Sequence, residues 1–341
     1  MILKINPFNI ARPLNTQYSG RNNTSFIKTN PMPFDTVSFK GGEKHMTSRA
    51  DAINYGLAQA IYNEAEPIMT DFQSKLTKYF GPLVADDGHP DRVLSPYPKG
   101  LCVRLKTPYS ICEKTASVGV STKAEIKEQL GDIIGARLVI RDASKADEVL
   151  KKVIEGVKNN DIKIFEIENY RPEPKYSYFT KKQLDSLEKI CNKMRTNGVT
   201  RTEKSIPSGY TALHLSVYLP NGFKGEIQIL GIDVEKVKEI EDLLYKLKNN
   251  KSLPPKYKVI EDEFIDLKTN KPLQRAITAY SKEQYIAARE REPYPAKLKR
   301  PKKFLPAPNY VPPEYDFNRI WKMKTNCDYK KAKSCDFDFG Q

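Results

Sequence analysis

The sequence predicts an α+β domain set between two extended ends, and three observations carry that reading. Short stretches such as LCVRLK and TALHLSVYL alternate apolar and polar residues, the period of a half-buried strand. Between them run longer stretches whose apolar residues recur every three or four positions, the period of a helix packed on one face. The two ends show neither period.

Taken in order, residues 1–46 are rich in Asn, Pro, Ser and Gly and are expected to be disordered. Thr47 or Ser48 can cap a first helix, with Ile53, Leu57 and Ile61 at spacing four. Pro67 is expected to kink or break it before Ile68, Phe72, Leu76 and Phe80 carry it on to Gly81-Pro82. Residues 82–100 read as a loop. Leu101, Val103 and Leu105 then mark the buried face of a strand whose other face holds Cys102, Arg104 and Lys106. Residues 109–130 look helical, and DIIGARLVI at 132–140 suits a central strand. Ser144 caps a helix with Val149, Val153, Ile154 and Val157 inward, and IKIFEI from Ile162 is a strand. A helix from about Thr180, with Leu184, Leu187, Ile190 and Met194, stops at Gly198. TALHLSVYL and EIQIL are two more strands, and Asp233 caps a helix carrying Val237, Ile240, Leu244 and Leu247. The folded body therefore spans 47–250. Residues 251–290 read as a helical extension, and 291–341 as a basic, Pro-rich tail with no fold of its own.

Lysine and arginine outnumber acidic residues 57 to 42, a net charge of +15, which points to polyanionic partners: nucleotides, RNA or an anionic surface. The five cysteines form no CxxC pair and read as free thiols in a reducing compartment. No apolar run approaches the roughly 20 residues of a membrane span. The opening MILKINPFNIARPL lacks a continuous apolar core, so a secretory signal is not expected and the cytoplasm is.

Common nucleotide and metalloprotease signatures are absent: GxxxxGK[ST], GxGxxG and HExxH do not occur. Chemistry must rest on side chains that strands present. Arg104 and Lys106 share a strand face, and Ser110 and Lys114 share a helix face just beyond it. Together they form a fork of donors suited to phosphate, although a solvated basic edge reads the same way. Asp132 and Arg137 interrupt an otherwise apolar strand, which asks for a ligand or an internal ion pair. Glu226 and Gln228 alternate with Ile227 and Ile229 and point the same way; an ordinary amphipathic edge strand does this too. If that strand neighbours the Asp132 strand, two carboxylates converge, a donor set that suits Mg²⁺ with substrate phosphates. SGYTALH places an exposed Tyr210 after Gly209, able to stack on a base or simply to pack, with His214 four residues on.

RLKTPYSICEK, DIIGARLVI, SGYTALH and GEIQI, in this order and spacing, resemble the synthetase domain of the RelA/SpoT family over about residues 50–250. The resemblance implies a mixed β-sheet flanked by helices, like nucleotidyltransferases. It implies that Arg104 and Arg137 sandwich the adenine of ATP, that Lys106, Ser110 and Lys114 hold its phosphates, and that Asp132 and Glu226 hold Mg²⁺. Glu226 would also activate the acceptor hydroxyl, and Tyr210 would stack on the acceptor guanine beside His214 and Gln228. The implied reaction moves the β,γ-pyrophosphate of ATP to the ribose 3′-hydroxyl of GDP or GTP and releases AMP. Three departures gather on the acceptor side. Leu230-Gly231 replace the usual Arg-Thr after EIQI, the lysine nearest before Gly-Tyr is Lys204, and residues 168–204 are long. With only His45, His89 and His214 and no His-Asp pair, the family's hydrolase module is not expected, and the chain resembles a small, synthetase-only member. Two other readings stand beside this one. The acceptor is a tRNA 3′ end, as in toxin-like small members, or the protein binds nucleotide or RNA without catalysis. Lys297 to Lys303 with Phe304, Tyr310, Tyr315 and Trp321 in the tail fit RNA contact or a plain tether.

Overall fold

The computed structural model describes residues 49–84, 93–94, 100–141, 143–194, 198–291 and 303–335, with backbone alone at 49–53 and 330–335. The expected disorder of 1–46 and the cap at Thr47 or Ser48 lie outside these residues, as do His45 and His89.

The first helix, α1 (Arg49–Phe80), runs unbroken through Pro67, against expectation. Pro67 is exposed, so the carbonyl it leaves unpaired is offered to solvent. On the inner face Ile61, Ala65, Ile68, Phe72 and Leu76 are buried on both sides of the proline and hold the two halves in line. Strand β1 (Leu101–Leu105) leads into α2 (Pro108–Val118), which Thr107 caps by accepting from the Ser110 N–H. The single helix expected at 109–130 is two. Gly119 turns left-handed at φ 76°, and α3 (Lys123–Gln129) starts afresh with a Thr122/Glu125 capping box.

Strand β2 (Ile134–Ile140) starts two residues later than expected, which leaves Asp132 in the turn before it. Ser144 sits in a 3-10 turn, and α4 (Ala146–Lys158) begins beyond it without a side-chain cap. Next come β3 (Lys163–Tyr170) and α5 (Lys181–Lys193), the latter opened by a Thr180/Gln183 capping box. Strand β4 (Thr200–Lys204) had no hydrophobic pattern to announce it, because TRTEK is polar throughout. Strands β5 (Ala212–Tyr218) and β6 (Lys224–Gly231) precede α6 (Ile232–Lys248), whose N-cap is Gly231 rather than Asp233. The expected helical extension is present as α7 (Lys258–Glu263) and α8 (Lys271–Arg291).

The six strands form one mixed sheet in the order β1-β2-β6-β5-β3-β4, with β2/β6 and β3/β4 parallel and the other pairs antiparallel. On one face Val103, Ala136, Leu138, Ile227, Ile229, Leu213, Leu215 and Ile167 are buried. That face is covered by α1 against β1 and β2, α5 against β3, and α4 touching both helices. Each of the larger side chains among them contributes on the order of 1.5–3 kcal/mol of burial. Helix α6 lies against β2 and β6, and α8 packs on α6.

The tail expected to be unfolded at 291–341 is folded over much of its length. Val311, Tyr315, Phe317 and Ile320 are buried, and α9 (Phe317–Cys335) is the last element among the described residues. Tyr280 and Gln284 of α8 both donate to the Leu305 carbonyl, at 2.6 and 2.7 Å, and Phe317 packs edge-on to Tyr280 at 4.8 Å. The aromatics that look isolated along the sequence meet in space: Phe304 touches both Phe317 and Trp321, and Tyr315 touches Phe264. Local period cannot reveal this, since the packing partners lie on α8, on α9 and just beyond α7. Among the described residues no helix is long and apolar enough to cross a membrane.

Candidate active site

Strand parity and register together make the second face of the sheet polar. Arg104 pairs with Gly135, Gly135 with Glu226, Glu226 with Ser216 and Ser216 with Glu166. One rank along, Cys102, Arg137, Gln228, His214 and Glu168 follow one another across the strands. Partners opposite each other share a face, so the two expected halves of the site lie on one surface. At the centre, Gly135 leaves room for Arg104, whose Nε lies 3.7 Å from where a Cβ would be.

The phosphate fork is assembled around Asp132. Lys106 reaches its Oδ2 at 2.5 Å from the end of β1, and Lys114 reaches Oδ1 at 2.6 Å from α2. Burial raises the Asp132 carboxyl, but the two ammonium groups outweigh it and hold the group below the ordinary carboxylate value. Burial lowers Lys106, more than Asp132 restores it. Ser110 sits in the first turn of α2, one turn before Lys114. Arg104 is exposed on the same face.

Glu226 is held by both oxygens. His214 Nδ1 lies 2.6 Å from Oε1, and Gln228 Nε2 donates to Oε2 at 2.6 Å. Burial raises this carboxyl, yet the His214 and Gln228 bonds prevail and bring it down to about 2. The Asp132 charge is felt at Glu226 in the opposite sense, so the two carboxylates stand in each other's field. Two oxygen donors that repel across one polar face fit a divalent hard cation. The tightest donor group among the described residues is a different one, however. Carboxylate or imidazole atoms of Glu168, His214 and Glu226 all lie within 4.8 Å of one another, and Asp132 is outside that group.

Two expected roles meet obstacles. Arg137 shares the face with Arg104, but its guanidinium is ion-paired with Glu235, which is 0% exposed. Burial works against the Arg137 charge, and Glu235 outweighs it, raising the group above its ordinary range. Tyr210, expected to be exposed, is 6% exposed. It packs edge-on to Tyr285 of α8, and its hydroxyl lies 3.0 Å from His214 Nε2. Helices α6 and α8 fold back over this part of the sheet, and a strand-level reading could not see that.

Lys204 does reach the acceptor side, through β4. It pairs with Glu168 and stands 5.4 Å over the ring of Tyr170. Its ammonium is raised, first by the Glu168 bond and against burial. The sequence reading passed over Glu168, Tyr170 and Glu235. The first two had a signal: Glu166, Glu168 and Tyr170 alternate along β3 as Glu226 and Gln228 do along β6. Glu235 had none, because an acid in the first turn of a helix reads as a surface residue.

Residues 103–250 match the family model described as a region found in RelA / SpoT proteins. No curated protein sequence matches the chain. Among solved structures, the small alarmone synthetase 1 from Bacillus subtilis is similar at 16% identity, over 71% of this chain and 90% of that one, with a TM-score of 0.34. The small alarmone synthetase 2 from the same organism gives 18%, 65% and 96%, with a TM-score of 0.32. A GTP pyrophosphokinase family protein from Streptococcus pneumoniae gives 17%, 70% and 94%, with a TM-score of 0.31. Likeness at this level carries no functional argument.

Proposed function

We propose, because residues 103–250 match the model of a region found in RelA / SpoT proteins, that the chain is a small synthetase of that family. Its reaction transfers the β,γ-pyrophosphate of ATP to the ribose 3′-hydroxyl of GDP or GTP. The observation that carries this reading is the polar sheet face on which Gly135 stands between Arg104 and Glu226, with Lys106 and Lys114 ion-paired to Asp132 in the turn before β2.

Arg104, exposed on that face, offers a flat cation to the adenine. Lys106, Lys114 and Ser110 are the phosphate donors, and the two lysines turn from Asp132 to the triphosphate. Asp132 and Glu226 would hold Mg²⁺, which when bound neutralises charge on the phosphates. Glu226 stays ionised at neutral pH and accepts a hydrogen bond from the acceptor hydroxyl, orienting its oxygen toward the β-phosphorus. As that P–O bond forms, the bond from the β-phosphorus to the α-phosphate oxygen breaks, AMP leaves with that oxygen, and the hydroxyl proton passes to solvent. A carboxyl at about 2 is a weak base, so its contribution is orientation and charge. On the acceptor side Lys204, Glu168, Tyr170 and Gln228 border the space for the second nucleotide.

Incubation with labelled ATP, Mg²⁺ and, separately, GDP, GTP and tRNA tests this. AMP and a 3′-pyrophosphorylated guanine nucleotide should accumulate in step. Label on tRNA alone would move the acceptor to RNA, and neither AMP nor product with any acceptor would sink the reading.

A further inference from the structure

We infer that this chain binds a nucleotide in a cavity of about 440 Å³ set apart from the polar sheet face. Its walls are Asp233 and Lys236 in the first turns of α6, Arg291 at the end of α8, Lys303 and Phe304 ahead of α9, and Trp321 within α9. Arg291, Lys303, Phe304 and Trp321 lie beyond residue 250, outside the region that matches the family model. Along β6, Gly231 stands five residues past Glu226, roughly 17 Å at about 3.3 Å per residue, and α6 starts only there. The cavity is thus at the other end of the central strand from Glu226.

Two buried atoms on this wall point to a ligand. Arg291 is 9% exposed, and its Nε makes no hydrogen bond; Asp233 Oδ2 is buried and makes none either. They stand 3.7 Å apart, near enough to attract and too far to bond, and Lys236 is 3.8 Å from the other Asp233 oxygen. A buried donor and a buried acceptor left in this way cost stability unless a third group bonds both. The pairing edge of a nucleobase, with an N–H beside an acceptor, is such a group. The other walls suit the rest of a nucleotide. Trp321 gives a flat surface for a ring, with Phe304 standing at 63° to it and 5.9 Å away between centroids. Asn318 fixes Phe304 there, accepting from its N–H at 3.0 Å and donating to its carbonyl at 3.2 Å. Lys236 and Lys303 supply cations for phosphate. A simple anion would leave the indole unused, and an uncharged aromatic would leave the lysines unused.

Trp321 is the chain's only tryptophan, so its fluorescence reports this cavity directly. The full chain is titrated with ATP, GTP, CTP and UTP, and with guanosine, adenosine and inorganic phosphate, in the absence of Mg²⁺. At least one nucleotide should quench Trp321 saturably, at least about tenfold more tightly than its nucleoside or phosphate alone. Lys236→Gln combined with Lys303→Gln, two changes at partly or fully exposed positions, should weaken that binding by about tenfold or more, and so should Arg291→Gln. Trp321→Ala, followed by calorimetry, should lose a similar factor. Lys106→Gln, which removes a phosphate donor from the sheet face, should leave the titration within about twofold of wild type. No saturable quench by any of the four nucleotides up to about 1 mM overturns the proposal. So does inorganic phosphate binding as tightly as the nucleotides, or a quench that Lys106→Gln abolishes and the Lys236/Lys303 double variant keeps. Binding is read without turnover, so a chain that transfers no pyrophosphate would sink the proposed function and leave this result standing.

Discussion

Lys114 and Asp132 are joined by a 2.6 Å ion pair that ties α2 to the turn before β2. With Lys106 on the other oxygen at 2.5 Å, one carboxylate takes two cations from two different elements. The pairs are partly solvent-exposed, so their worth lies less in stability than in holding two phosphate donors at a known distance from each other.

Asp132→Asn should therefore abolish most turnover, by about 10²–10³-fold, as expected for loss of one element of a charge-stabilising constellation. Thermal unfolding should change little by comparison. Steady-state assays beside a melting curve check both. Near-wild-type kcat would remove Asp132 from the site.

Glu235→Ala strips a fully buried counter-charge from Arg137. Breaking such a pair from one side costs about 3–5 kcal/mol. Urea unfolding should show that loss, and Arg137→Met combined with Glu235→Leu should recover much of it. Single and double variants of equal stability would show that the pair is not desolvated.

Lys204→Met should raise the KM of the acceptor nucleotide by about tenfold and leave that of ATP unchanged, since a charge-assisted contact is worth about 1.5–3 kcal/mol. Its partners Glu168 and Tyr170 lie on β3, apart from the Lys106–Lys114 fork. Equal effects on both nucleotides would contradict the division of the face into donor and acceptor sides.

Phe317→Ala should cost about 3–5 kcal/mol, the usual range for a buried phenylalanine. A tail that merely tethers would show no change. Denaturant melts followed by circular dichroism decide it.

Acid should loosen the same region through Asp328. Burial raises this carboxyl, but Lys324, Lys256 and the Tyr257 hydroxyl outweigh it and hold it below its ordinary 3.8. A depressed folded-state pKa gives stability that is present in full above 3.8 and is lost as pH falls through the folded value. The stability gap between wild type and Asp328→Asn should thus be flat above about pH 5 and shrink on further acidification. Trp321, the chain's sole tryptophan, lies about two turns earlier on the same face of α9 and reports unfolding by fluorescence. A gap that widened with acid would reverse the assigned direction.

Five of the six strands were legible, β2 from its apolar run and the others from their apolar pattern, and the pairing of β2 with β6, which the sequence left conditional, sets Glu226 opposite Gly135. β4 was not legible, since an edge strand with no buried face leaves no pattern: Thr200, Glu203 and Thr202 are exposed. The donor fork could be read from spacing two and spacing four within one strand and one helix. The environment of Tyr210 could not, because it depends on Tyr285, 75 residues further along and on another element. Arg137 shows the same limit: its charge needed a partner, as the apolar run implied, but nothing local named Glu235.

The parallel pairing of β2 with β6 also sets the order in which this molecule can come into being. Ile140 ends β2, and its parallel neighbour β6 begins only at Lys224, after β3, β4 and β5 have been made. Asp132 and Glu226 therefore share no surface in a chain still emerging from synthesis, and no subset of early strands encloses the central β6 position. Sheets closed by such distant segments form slowly, since the entropy of the long loop must be met before its contacts reward it. The facing of Asp132's turn and Glu226 is thus a late event in the folding of this chain, made only when β6 enters between β2 and β5.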